Sequence, residues 1–60
     1  MEYKYVYVTY EYNDGIFSNQ RVYNECFTVY CEMLTESAII REIRNRYNDR
    51  KDIAILDWHE

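Results

Sequence analysis

Proline is absent from all 60 residues, and glycine occurs once, at Gly15. That leaves little room for linkers, and no internal repeat or low-complexity run is present. A single domain, residues 1–60, is expected. Cysteine occurs twice, at Cys26 and Cys31, and histidine once, at His59. On one strand, an odd separation puts the two thiols on opposite faces. A mutual disulfide is therefore not expected, and a reducing compartment fits. With no CxxC pair, three scattered soft ligands do not make a zinc site. Their spacing does not support a Cys–His–acid nucleophile either, and so short a chain has little volume for a substrate pocket. The expectation is no enzyme, no metal and no cofactor. No apolar run approaches the roughly 20 residues that span a bilayer. No charged-then-apolar leader precedes the first strand. A soluble, cytoplasmic protein with no membrane partner is expected.

Cations are also scarce: seven Lys and Arg against eleven Asp and Glu, for a formal charge of −4 and a pI near 4.8. This balance counts against non-specific nucleic-acid binding as the main activity. The charge is uneven. Residues 1–40 set Glu2, Glu11, Asp14, Glu25, Glu32 and Glu36 against Lys4 and Arg21. Residues 41–51 carry Arg41, Arg44, Arg46, Arg50 and Lys51 against Glu42 and Asp49. The tail turns acidic again with Asp52, Asp57 and Glu60.

What the chain has in excess is tyrosine. Five of the eight fall in Glu2–Tyr12. That stretch alternates: Lys4, Val6, Val8, Tyr10 and Tyr12 point one way, and Tyr3, Tyr5, Tyr7, Thr9 and Glu11 the other. β-Branched and aromatic residues at period two predict a strand. Asn13-Asp14-Gly15 offers the positive φ angles of a hairpin turn, so a second strand is expected from about Ile16. Its segment is too long for one ordinary strand; Asn24-Glu25 is the expected bulge or bend. Thr35 reads as a helix N-cap, with Glu36 at the positive helix end and Leu34 placed to staple to Ile39. The helix should run to about Asn48, with Ile39, Ile40, Ile43 and Tyr47 as its apolar stripe and Glu42 and Arg46 as an i,i+4 pair. Ile53–Trp58 reads as a short, largely buried last strand.

The order β-β-α-β limits the topology. An α+β fold with a three-stranded antiparallel sheet, order 2-1-3, satisfies the right-handed crossover preference. The helix then packs on one face, against Val6 and Val8. The first strand is central, and its tyrosine face is covered by nothing in the chain. At this size a monomer buries only about 60% of its unfolded surface, so dimerisation through that face or an edge is expected.

Two groups of residues stand out as binding surfaces. Tyr3, Tyr5 and Tyr7, with Phe17 or Tyr23 alongside, form an aromatic patch of the kind that marks an interface. It serves a second copy stacked face to face, a partner protein, or stacked bases. Arg41, Arg44, Arg46 and Arg50 form a basic helix end that suits phosphate or an acidic partner, or is a solvated face favoured by the helix dipole. The acids Glu11, Asp14, Glu25, Glu32, Glu36, Asp52, Asp57 and Glu60 would imitate a row of phosphates only if they share one side; otherwise they are a solubilising surface.

Gly15, Phe17 and Asn19, then Ile40-Arg41-Glu42-Ile43, then Ile53–Trp58 give the chain a pattern. It resembles small proteins of about this length encoded by phages and prophages of low-GC Gram-positive bacteria. The resemblance spans most of the chain, although Arg21–Met33 is longer than the pattern has it. It implies a non-enzymatic protein that binds and blocks a host protein, such as a defence nuclease or helicase, in the host cytoplasm. The alternative is a nucleotide- or nucleic-acid-binding module using tyrosine stacking and Arg41, Arg44 and Arg46.

Overall fold

A computed structural model describes residues 1–13 and 20–60. The elements run β1 (Glu2–Asn13), β2 (Gln20–Cys31), α1 (Glu36–Arg46) and β3 (Lys51–His59). They form a three-stranded sheet of order β2-β1-β3 with both pairings antiparallel. The fold is thus the expected α+β, ββαβ arrangement, with β1 in the middle. The Asp14-Gly15 turn, the strand start at Ile16 and Phe17 lie outside the described residues.

The faces divide as alternation requires. Val6, Val8, Tyr10 and Tyr12 of β1 are buried, together with Phe27, Val29 and Cys31 of β2 and Leu34, Ile39 and Ile43 from the helical side. Helix α1 starts where Thr35 accepts a hydrogen bond from the Ala38 N–H at 3.2 Å. Such a cap contributes about 1 kcal/mol. Leu34 and Ile39, one before the cap and one in the first helical turns, lie in the same core, as a staple requires. The helix ends at Arg46, two residues before Asn48, with Tyr47 as its C-cap. Ile40 and Tyr47 are only half-buried, so Ile39 and Ile43 anchor the stripe. Glu42 and Arg46 pair at 2.8 Å as spaced.

Two local expectations are corrected. β2 has no break at Asn24-Glu25: it pairs with β1 residue for residue from Glu2↔Cys31 to Asn13↔Gln20. A long strand is stable here because its partner is equally long. The irregularities lie in β3, which is not largely buried. Its register against β1 shifts between Thr9 and Tyr10 and again between Glu11 and Asn13. Tyr10 pairs with Ile55 and Thr9 with Asp57, so Leu56 is the extra residue of a bulge. The extra residue resets the side-chain parity. Ile55 and Trp58 both turn towards the core although they are an odd number of positions apart, while Leu56 is exposed. Without the bulge, Asp57 would face Val8. The second irregularity contains Asp52, whose φ of 53° is left-handed, a region Asp tolerates better than most residues.

Candidate functional site: the open tyrosine face

The sheet side opposite α1 is built by the other half of each alternation. Tyr3, Tyr5 and Tyr7 of β1 are 73%, 52% and 43% exposed. Register sets Tyr30 beside Tyr3, Thr28 beside Tyr5 and Cys26 beside Tyr7. On the other flank, His59 lies beside Tyr7 and Asp57 beside Thr9. The rings touch in a chain. Tyr3 and Tyr30 have centroids 4.8 Å apart, Tyr5 and Tyr7 meet edge-on at 5.3 Å, and His59 stacks on Tyr7 at 5.1 Å with 13° between the planes. These geometries suit the ring quadrupoles. Thr9 donates to Asn24 across the strands at 2.7 Å. The neighbouring Cys26 side chain raises the Tyr5 pKa, first by hydrogen bonding and then by the negative charge of its thiolate form. Register also places Glu11 and Asp57 on this face and Lys51 at its end, opposite Asn13.

The sequence-predicted residues are thereby sorted. Tyr3, Tyr5 and Tyr7 come together as expected. Tyr23 is on the other side: it pairs with Tyr10 and shares that residue's helix-side face. Tyr30 completes the ridge instead. The alternation of β2 hints at Tyr30, but only the register assigns it.

Tyr23 belongs to a second cluster, at the far end of the helix side. Arg50 lies in the turn between α1 and β3, and its side chain is turned inward. Its guanidinium sits 3.7 Å from the Tyr47 ring centroid, 4.4 Å from Tyr12, 4.5 Å from Tyr23 and 5.9 Å from Tyr10. It donates to the Tyr10 hydroxyl. That hydroxyl donates in turn to Glu25 Oε1 at 3.0 Å, and Tyr47 donates to Glu25 Oε2. Arg50 Nη1 is 3.8 Å from Glu25 Oε1. Burial, with the Glu25 carboxylate next, pushes the Tyr10 hydroxyl well above the usual phenol range, against the opposing pull of Arg50. The hydrogen bond to Glu25 raises Tyr47 as well. The signal for this cluster is present in the sequence: Tyr10 and Tyr12 point inward with the valines, and buried hydroxyls need partners.

The four arginines therefore differ. Arg50 is engaged inside the chain. Arg46 pairs with Glu42 and lies 4.9 Å over the Phe27 ring. Arg41 and Arg44 are exposed on α1, which covers the side of the sheet away from Tyr3, Tyr5 and Tyr7. The acids divide too: Glu11 and Asp57 are on the open face, Glu25 under the helix side and Glu36 on α1. No single row of carboxylates collects all four.

A shallow groove of about 270 Å³ on the open face is lined by Tyr7, Thr9, Cys26, Asp57 and His59 among others. Cys26 and His59 flank Tyr7 from opposite strands, so their backbones are about 9–10 Å apart. No cluster of three metal-ligating side chains occurs among the described residues. No helix among them is long and apolar enough to cross a membrane. No protein family, curated protein or solved structure matches the chain.

Proposed function

We propose that this is a non-enzymatic binding protein that works as a homodimer and blocks a protein partner by covering part of its surface. In the phage setting implied by the sequence resemblance, the partner is a host protein, such as a nuclease or helicase of a defence system. The observation that carries the reading is the open face, where Tyr3, Tyr5, Tyr7 and Tyr30 stay exposed while the chain's other apolar face is closed by its own helix. Tyrosine supplies large, rigid contact area with a polar tip, the composition favoured at interfaces. Glu11 and Asp57, beyond the Tyr7 end of the ring row, favour a target that carries Lys or Arg beside its apolar patch. The separation of the tyrosines from Arg41 and Arg44 supports this reading over base stacking, which needs rings and cations on one surface.

The test is capture from a host lysate, followed by reconstitution with the purified target. The wild-type chain is expected to retain a defined protein and inhibit it. The variant Tyr3→Ser/Tyr5→Ser/Tyr7→Ser should fold normally and lose both effects, with affinity down at least about a hundredfold, since central aromatics carry most interface energy. Equal retention by the triple variant would overturn the reading. So would oligonucleotide binding that weakens steeply with salt.

A further inference from the structure

The two edges of the sheet are unlike each other. β3 is a guarded edge: it is bulged twice, carries a left-handed residue at Asp52 and begins with the charged pair Lys51-Asp52. These are the devices that discourage strand pairing. β2 has none of them. It runs unbroken from Gln20 to Cys31 without proline, pairs with β1 without a register shift, and among the described residues pairs with β1 alone. Its second half, Cys26–Cys31, contains no charged residue in a chain of net charge −4. Two copies repel each other least along that segment.

We propose that this edge pairs with the same edge of a second copy, antiparallel, about a two-fold axis through Thr28 and perpendicular to the sheet. The pairing fits the side chains on both faces. On the helix side, Phe27 meets Val29 of the second copy, which extends one apolar layer into the next. On the open side, Cys26 meets Tyr30 of the second copy. Thr28 meets itself, a favourable cross-strand pair. No like charges oppose each other between Cys26 and Cys31. Beside this edge runs a groove of about 530 Å³ between β2 and α1, lined by Val29, Tyr30, Met33, Ala38, Arg41 and Glu42 among others. Two such grooves meet across the axis. The product is a continuous sheet of order β3-β1-β2-β2-β1-β3. Both helices lie on one side, and both tyrosine ridges lie on the other, free for a target. The inference rests on the homodimeric reading above and assigns the edge to the copy and the face to the partner.

Sedimentation equilibrium and oxidative cross-linking of the full chain test it. The wild type should sediment at twice its 7.5 kDa mass. Thr28→Lys places like charges across the axis at an exposed position, so it should sediment as a monomer, with dimer affinity down at least tenfold and an unchanged circular dichroism spectrum. Thr28→Cys with Cys26→Ser should cross-link under mild oxidation, because facing Cα atoms in antiparallel strands lie about 4.5–5.5 Å apart, within disulfide reach. Wild-type Cys26 should not cross-link. The Tyr3/Tyr5/Tyr7 serine variant should stay dimeric. A dimer that survives Thr28→Lys but is broken by the serine variant means the copies stack face to face, which overturns the edge and leaves homodimerisation standing. A wild-type monomer at all concentrations overturns both the edge and the homodimer. The capture experiment decides target blocking independently.

Discussion

At the scale of single residues, the most consequential contacts are those of Tyr10. Its ring is fully buried, and its hydroxyl both accepts from Arg50 and donates to Glu25. Tyr10→Phe keeps the ring and leaves two charged groups short of a partner. The expected loss is about 1–3 kcal/mol, measured by urea unfolding at neutral pH. The same residue governs behaviour in alkali. A phenol whose pKa is higher in the fold than in the unfolded chain stays protonated longer when folded. Its contribution is fully present below the ordinary tyrosine value of about 10 and fades as pH rises from there through the folded value. Tyr10 and Tyr47 both shift in this direction. Ultraviolet titration should therefore show late-ionising phenols, and stability should fall in that alkaline range. Tyr10→Phe should remove the last phenol to ionise and flatten the fall. An unchanged titration would show that the hydroxyl network does not form.

At the scale of elements, the bulge in β3 decides which way Trp58 faces. Deleting Leu56 makes the pairing regular from Tyr7 to Glu11, with Ile55 opposite Tyr10 and Asp57 opposite Thr9 as before, and leaves the second irregularity in place. Stability should change by less than about 1 kcal/mol, with Trp58 emission unshifted, while the newly flat edge raises self-association. A red-shifted Trp58 would contradict the parity assigned to the bulge. These elements also show what could be read in advance. The alternation of Val6 and Val8 against Tyr5 and Tyr7 gave both faces of β1, and the order β-β-α-β gave its central place. Thr35, Leu34 and the Glu42–Arg46 spacing gave the helix start and one face. The continuity of β2 was hidden because a strand's tolerable length depends on its partner, which pattern alone does not supply. The bulges of β3 were hidden for the same reason: Ile55 and Trp58 look out of phase until paired with Tyr10 and Val8. Tyr3, Tyr5 and Tyr7 were legible as one uncovered face. Tyr30 and Tyr23 exchanged places because only register tells which tyrosines of β2 accompany them.

At the scale of the whole molecule, the principal extents of 38 × 19 × 14 Å describe a plate. Its two long dimensions bound a face comparable to the roughly 800 Å² that each partner gives to a standard interface. One broad side is sealed by α1 and the other carries the rings, so the plate has a closed side and an open side. The central position of β1 has a consequence in time. Of the described elements β1 is synthesised first and its neighbour β2 follows it, but its other neighbour, β3, is the last to be made. The pairing of Tyr7 with His59 joins residues nearly a chain length apart, so it forms late and slowly. Until then β1 presents a bare hydrogen-bonding edge to everything around it. A chain ended at Asp49 should therefore precipitate, as turbidity would report, where the 60-residue chain stays clear; a clear truncated chain would show that the hairpin needs no third strand. The strand that organises the native sheet is thus, during biosynthesis, the segment most in need of protection.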